Sequence, residues 1–156
     1  MKKSIFAISI ILVAIVAIGS VSAFDLASLF GGDDSSENQT VTIAGIDFNV
    51  PAGFSEDTNY SAVNQTVDES GVSITNNLKT FVNNNTVVAV LVAEYKDFNI
   101  TDEIVGIVAG DAKTINNVSG YLSTDGNYKV FSYVKDNKLV VISTNDENVI
   151  GDFIKE

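Results

Sequence analysis

The apolar run Ile5–Phe24, directly behind Lys2 and Lys3, constrains this chain more than any other stretch. A membrane-spanning helix needs about 20 apolar residues, whereas the apolar part of a signal peptide needs only ~7–15. The stretch Ile5–Val21, which only Ser9, Gly19 and Ser20 interrupt, lies between these lengths, and Val21-Ser22-Ala23 has the small-residue pattern of a signal-peptidase site. Cleavage after Ala23 and retention as an anchor therefore both stay open. In either case the two lysines hold the N-terminus inside, so we expect the rest of the chain to be extracytoplasmic, either membrane-anchored or secreted.

Composition divides the chain into three segments. Residues 1–23 are a signal peptide or transmembrane anchor. Residues 24–39 form a flexible acidic tether, because Gly31–Glu37 is small, acidic and unpatterned. Residues 40–156 form the extracytoplasmic domain. The chain has no cysteine, so this domain needs a hydrophobic core of its own rather than disulfides, and it is long enough to build one.

The missing residue types exclude several classes of function. The chain contains no histidine, cysteine, arginine or tryptophan. A Ser-His-Asp or Cys-His catalytic group, a histidine or thiolate zinc site and a bidentate arginine clamp are therefore all impossible. The net charge of −11 also disfavours nucleic acid as a partner. Carboxylates, lysines, hydroxyls and amides are the remaining chemical groups.

Hydrophobic alternation and turn residues predict an α+β fold with a single antiparallel sheet. Strands flanking Ala44-Gly45 form a first hairpin that Pro51 ends, and residues 55–70 are predicted to be a loop that can include a short helix. Two short strands are predicted next, one at Val72 and Ile74 and the other over Leu78–Val82. The nearly continuous apolar run Thr86–Tyr95 is predicted to be a central strand, because both of its faces must be buried. Three turn signals then separate the four strands of a C-terminal meander: Asn116-Asn117, Asp125-Gly126 and Asp136-Asn137.

Two helices are predicted to pack on this sheet, in addition to the N-terminal apolar helix. The first is a mid-chain helix that starts at Thr101, whose hydroxyl can cap it, and ends at Gly110. The second is an amphipathic C-terminal helix. It is indicated by a capping-box pattern over Thr144–Glu147 and by apolar residues at helical spacing, namely Val149, Ile150, Phe153 and Ile154.

Asparagine sites for N-linked glycosylation are frequent beyond the apolar run. Six Asn-x-Ser/Thr sequences occur there, none with proline in the middle, and all fall in predicted tether, loop or turn positions. Their number and placement predict a glycosylated cell-surface protein. The alternative is that asparagine is simply the turn residue of this chain. The six candidate sites are Asn38, Asn59, Asn64, Asn84, Asn99 and Asn117.

Aromatic residues of the meander suggest a second kind of site. If Tyr121, Tyr128 and Tyr133 share an exposed face, their rings can stack on a sugar or a peptide. Packing in the core and across strands is the competing interpretation, and we favour it.

Acidic residues supply two further alternatives. A weak calcium site would draw on Glu56, Asp57, Asp68 and Glu69, although the loop spacing of a calcium-binding hand is absent. A glycan hydrolase would need two carboxylates facing one cleft, and the acid considered for it is Glu94, which lies in the apolar run Thr86–Tyr95. No catalytic residue, metal site or cofactor is predicted.

Several segments resemble small surface proteins of methanogenic archaea. They are the lysine-led apolar start, the Gly31-Gly32-Asp33-Asp34 tether, Ile46–Phe54, Gly120-Tyr121 and the hairpin Tyr133–Lys138. More distantly, Phe48-x-Val50-Pro51-x-Gly53-Phe54 resembles the signature of the PsbP-like fold, which commonly ends in tryptophan where this chain has Phe54. That resemblance implies an antiparallel sheet flanked by helices, used as a non-catalytic binding or assembly module.

The expected function is therefore a non-enzymatic, membrane-tethered or secreted domain that binds a partner or contributes to the cell envelope. The partners expected are the membrane, through residues 5–24 if they are uncleaved, and a protein or glycan. The alternatives from other classes are a carboxylate-dependent hydrolase acting on envelope glycans and a weak calcium-binding surface protein.

Overall fold

The computed structural model describes residues 36–69 and 71–156, with the backbone alone at residue 69. The predicted apolar helix and most of the tether lie outside these residues. Ten strands occur in the described part of the chain: β1 (Gln39–Ile43), β2 (Ile46–Val50), β3 (Ser55–Glu56), β4 (Ala62–Glu69), β5 (Val72–Asn83), β6 (Thr86–Lys96), β7 (Asp111–Ile115), β8 (Val118–Asp125), β9 (Tyr128–Lys135) and β10 (Lys138–Thr144).

Eight of the strands form one antiparallel sheet. Its order is β5-β6-β10-β9-β8-β7, and β3 and β4 both pair with the outer side of β5. The β6 strand lies between β5 and β10, as its apolar sequence predicts. The β1–β2 hairpin is a separate two-stranded sheet.

Two-residue turns account for most of the strand order. Both residues have positive φ in Ala44-Gly45, Asn116-Asn117 and Asp136-Asn137, which is the geometry that keeps a hairpin twisted correctly. Asparagine, aspartate and glycine tolerate this conformation best, and they occupy five of these six positions. The turns predicted at Ala44-Gly45, Asn116-Asn117 and Asp136-Asn137 are confirmed. The turn predicted at Asp125-Gly126 lies one residue later, at Gly126-Asn127, because Asp125 still pairs with Tyr128.

The β1–β2 hairpin and the C-terminal segment cover one face of the large sheet. Phe48 is fully buried there, and Ile154 forms an isolated antiparallel bridge with it. The Phe153 ring meets the ring of Phe54 edge-on, with centroids 5.1 Å apart, and lies 5.5 Å from that of Phe81. Apolar burial therefore fixes both covering segments to this side, which we call the hairpin face.

A segment that includes residues 98–109 covers the opposite face, which we call the helix face. Its helix α1 (Asp102–Gly106) is capped by the Thr101 hydroxyl, which accepts from the backbone N–H of Ile104 at 3.4 Å. Gly106 permits a close approach to β8, since a Cβ at this position would lie 2.5 Å from the Tyr121 hydroxyl oxygen. Val105 and Ala109 are buried against the sheet.

The α+β prediction is wrong, because the described chain is mostly β, with 60% strand and 13% helix. The α1 helix has five residues, and the predicted C-terminal helix is reduced to one turn, α2 (Ile150–Phe153). Thr144 is the last residue of β10, and its hydroxyl accepts from the backbone N–H of Asp146. Asp146 then caps a 3-10 turn ahead of α2, so the expected capping box does not form.

The loop predicted for residues 55–70 is wrong as well. Two strands, β3 and β4, occupy this stretch, with a 3-10 turn at Thr58–Tyr60 between them. The two short strands predicted within residues 72–82 are one continuous strand, β5. No helix in the described part of the chain is long and apolar enough to cross a membrane.

Removing the Phe48 side chain tests how strongly the hairpin is held. We expect Phe48→Ala to lower the free energy of unfolding by about 3–5 kcal/mol, because it leaves a cavity between the hairpin and the sheet. Denaturant unfolding followed by circular dichroism measures the loss. The control is Ile107→Ala, at a side chain that is 49% exposed, where the expected change is within about 0.5 kcal/mol. Equal small changes in both variants would contradict the packing of the hairpin.

Candidate functional site

All six asparagines of the glycosylation sequences are exposed to solvent. Asn38 precedes β1, Asn84 and Asn117 lie in hairpin turns, and Asn99 lies in the loop before α1. Asn59 lies in the 3-10 turn between β3 and β4, and Asn64 lies within β4. The fold thus leaves every candidate acceptor at the surface, where an enzyme can reach it.

Three of these asparagines have left-handed backbone conformations. The φ values are +53° at Asn64, +49° at Asn84 and +61° at Asn117. Asparagine tolerates this region better than most residues, so turn formation alone can account for Asn84 and Asn117. Asn64 differs because it lies at a register shift in the β4–β5 pairing, and its backbone N–H donates to Asn77 Oδ1 at 2.9 Å.

The side-chain nitrogen of asparagine is the atom that accepts a glycan, and its surroundings differ among the sites. Asn117 Nδ2 donates to Glu156 Oε1 at 2.7 Å, and Asn84 Nδ2 donates to Asn83 Oδ1 at 3.0 Å. The Asn38 side-chain oxygen accepts from the backbone N–H of Ala52. Both turn asparagines are therefore engaged through the reactive atom.

The three tyrosines predicted as a binding face do not come together. Tyr133 is 3% exposed and packs in the hairpin-face cluster, with its ring 5.6 Å from that of Phe131. Tyr121 is half-buried on the helix face, beside α1. Tyr128 is half-buried and shares the helix face with Val130 by strand alternation. Packing, rather than a shared stacking surface, thus accounts for Tyr133.

Tyr121 does line one open depression, of about 330 Å³, between α1 and the β7–β8 hairpin. The Asp102 carboxylate is on its wall, and the hydroxyls of Thr114 and Ser119 lie 3.3 Å apart. An aromatic ring beside hydroxyls and one carboxylate offers hydrogen bonds and an apolar surface to a small polyol. The depression is shallow, and it contains a single carboxylate.

Each acid of the proposed calcium group has a separate place in the structure. Glu56 forms an ion pair with Lys79 at 2.7 Å, and Asp57 caps the 3-10 turn through a bond from the backbone N–H of Asn59. Asp68 is exposed on β4, where residue 69 pairs with Val72. Within residues 36–69 and 71–156, no group of three or more acids is placed to hold a metal ion.

Glu94, the acid considered for hydrolysis, lies near the end of β6. Its carboxylate is 3.1 Å from Lys138 Nζ, and Lys138 also donates to the backbone oxygen of Ala44 in the β1–β2 turn. This network joins the hairpin to the sheet. A second depression, of about 600 Å³, lies beside Asn49 and Pro51 and carries Asp152 as its one carboxylate. Neither depression presents the carboxylate pair that glycoside hydrolysis requires.

Sequence reasoning missed β4 and the exposed apolar side chains on and beside it. Tyr60, Val63 and Val67 are 37%, 59% and 39% exposed, and they lie in or just before this strand. The stretch looked polar because Asn64, Gln65 and Thr66 interrupt the valines. In the structure, Thr66 pairs with Thr75 and Val67 pairs with Ile74, which defines the strand. The β-branched residues of this stretch were the sequence signal that could have indicated a strand.

Comparison with known proteins gives no relative for this chain: no protein-family model, curated protein or solved structure matches it. The resemblances to archaeal surface proteins and to the PsbP-like fold therefore stay predictions. Inferences about function depend on the geometry of the chain itself.

Two buried tyrosines predict a loss of stability at high pH. Burial raises the pKa of Tyr95 and Tyr133 above the ordinary value, so the folded chain keeps protons that the unfolded chain releases near pH 10. Stability should therefore be full below about pH 10 and fall as the pH rises above it.

The Tyr95 hydroxyl has no hydrogen-bond partner among the described protein atoms, so Tyr95→Phe removes a titrating group without removing a hydrogen bond. We expect this variant to change the neutral-pH free energy of unfolding by less than about 1 kcal/mol and to reduce the alkaline loss. Denaturant unfolding as a function of pH measures both. Tyr128→Phe is the control and should keep the wild-type alkaline loss, because both buried tyrosines remain. Identical pH profiles for Tyr95→Phe and the wild type would contradict the assignment.

Proposed function

We propose that this chain is a non-enzymatic, N-glycosylated domain of the cell surface, held at the membrane by residues 5–24 or released after cleavage. The observation that carries the proposal is the exposure of all six candidate asparagines. Asparagine is commonly exposed in proteins, so the exposure of these sites supports the proposal in combination with the apolar N-terminal run. That run directs the domain to the compartment where glycans are added.

An envelope role also agrees with the charge of the chain and with its fold. An acidic surface keeps a crowded outer domain soluble. Sheet strands buried on both faces give a stable domain without disulfides, which the absence of cysteine requires. The resemblance to surface proteins of methanogenic archaea is consistent with the same role.

Intact mass and N-terminal sequencing of the protein from its native host test this proposal. We expect a mass above that of the polypeptide, and glycopeptides that contain the candidate asparagines. An N-terminus at Phe24 means release, whereas an N-terminus ahead of the apolar run means anchoring. A bare polypeptide mass would overturn the glycoprotein proposal and leave the asparagines as turn formers.

Site occupancy gives a second prediction, specific to the folded domain. If glycans are added after folding, Asn64 and Asn99 should be more highly occupied than Asn117, whose Nδ2 is held by Glu156. Glu156→Ala should then raise occupancy at Asn117, and quantitative glycopeptide mass spectrometry measures the change. Asn84 is the control site in the same sample, since its Nδ2 bonds to Asn83 instead. Unchanged occupancy at Asn117 would show that modification precedes folding.

A further inference from the structure

The large sheet has an open edge along β4. In the described part of the chain, β4 pairs with β5 on one side and has no strand on the other. The free backbone N–H and C=O groups of such an edge can pair with a strand of another molecule. Proteins commonly prevent this pairing with charged residues, prolines, bulges or covering segments.

The β4 edge exposes more large apolar side chains than the β7 edge at the other end of the sheet. The charged residues of β4, Asp68 and Glu69, lie at its C-terminal end, and Ala62 to Val67 has none, whereas β7 includes Asp111 and Lys113 within its five residues. Among the described residues, the large apolar side chains with substantial exposure are Tyr60, Val63, Val67 and Ile107. Two of these four, Val63 and Val67, lie on β4, and Tyr60 lies two residues before it.

Two glycosylation sequences lie beside these exposed apolar side chains. Asn59 lies directly before Tyr60, and Asn64 lies between the two exposed valines. Both asparagines are exposed, and the register shift at residues 62–65 interrupts the regular strand where Asn64 is placed. A positive φ at Asn64 is a further departure from strand geometry. Modification at these two positions would place hydrated groups where a second strand would otherwise pair.

We propose that N-linked glycans on Asn59 and Asn64 cover the apolar β4 edge and prevent the sheet of one molecule from pairing with that of another. The proposal depends on the glycosylation proposed above and adds a purpose for two particular sites. The partner excluded is a second copy of this chain, which presents the same edge. Antiparallel pairing of two β4 edges would bury the exposed valines of both copies.

Removing the two sites from the full chain tests the proposal. Asn59→Gln removes the first, because this position has no left-handed backbone requirement. Thr66→Ala removes the second while keeping asparagine at the positive-φ position, at the cost of one exposed hydroxyl contact with Thr75. The chain is produced in its native host, and sedimentation velocity over a range of protein concentrations measures self-association. We expect the double variant to associate about tenfold more strongly than the wild type.

Matched controls separate the edge from general effects of losing a glycan. Thr86→Ala removes the site at Asn84, which lies in the β5–β6 turn, and should leave association unchanged. Adding Val63→Lys to the double variant should restore the wild-type association, because a lysine on an edge opposes pairing. Ile107→Lys, which alters the exposed apolar residue away from this edge, should not restore it. A second route, Asn64→Gly in place of Thr66→Ala, keeps the backbone conformation if the first variant unfolds.

The possible results distinguish failure of this proposal from failure of glycosylation. If peptides containing Asn59 and Asn64 carry no glycan in the wild type, the covering proposal is overturned at these sites. If they carry glycans and the double variant associates no more than Thr86→Ala, the covering role alone is wrong and the glycoprotein proposal stands. Restoration by Ile107→Lys to the same degree as by Val63→Lys would also overturn the role of the edge.

Discussion

Burial of β6 and β10 on both faces is the constraint on which the rest of this structure depends. The β6 strand is almost wholly apolar, as are Leu139–Ile142 of β10, and the alternate side chains of both strands belong to two separate clusters. A sheet with such a centre is stable in water only if both faces are covered. The β1–β2 hairpin and the C-terminal turn cover one face, and the segment around α1 covers the other. The small helical content follows, because short segments suffice to cover the two faces of a sheet that already supplies most of the core.

The sequence predicts those parts of the fold that local chemistry decides. Turn residues such as Asp136-Asn137 have a direct conformational cause, so the hairpins could be located from them. The helices were overestimated because capping signals are local, whereas helix length depends on tertiary packing. Gly110, the predicted end, does have a positive φ of +111°, but α1 already ends at Gly106, where the backbone approaches the Tyr121 side chain. That approach cannot be inferred from the order of residues.

Polar residues concealed two further features of the sheet. Asn76 and Asn77 are 5% and 4% exposed within β5, and their polarity suggested a break in what is one continuous strand. The β4 strand was missed because it is an edge strand exposed to solvent, in which polar and apolar residues do not alternate regularly. The candidate sites also differ in how far the sequence predicts them. Exposure of the asparagines could be predicted from their turn chemistry. Burial of Tyr133 could not, because it depends on which face of β9 packs against the β1–β2 hairpin.

The positions of the asparagines connect the demands of folding with those of the surface. A hairpin turn needs a residue that tolerates positive φ, and asparagine meets this need. Where a serine or threonine follows two positions later, the same asparagine also forms a glycosylation sequence. Asn84 and Asn117 are explained this way without any glycan. Asn64 is not, because it interrupts an edge strand where a regular residue would pair better with β5. Asn64 weakens strand pairing at the edge that exposes Val63 and Val67, so it is best explained by the pairing between molecules that it prevents. A glycan at Asn64 would extend this effect outward from the backbone.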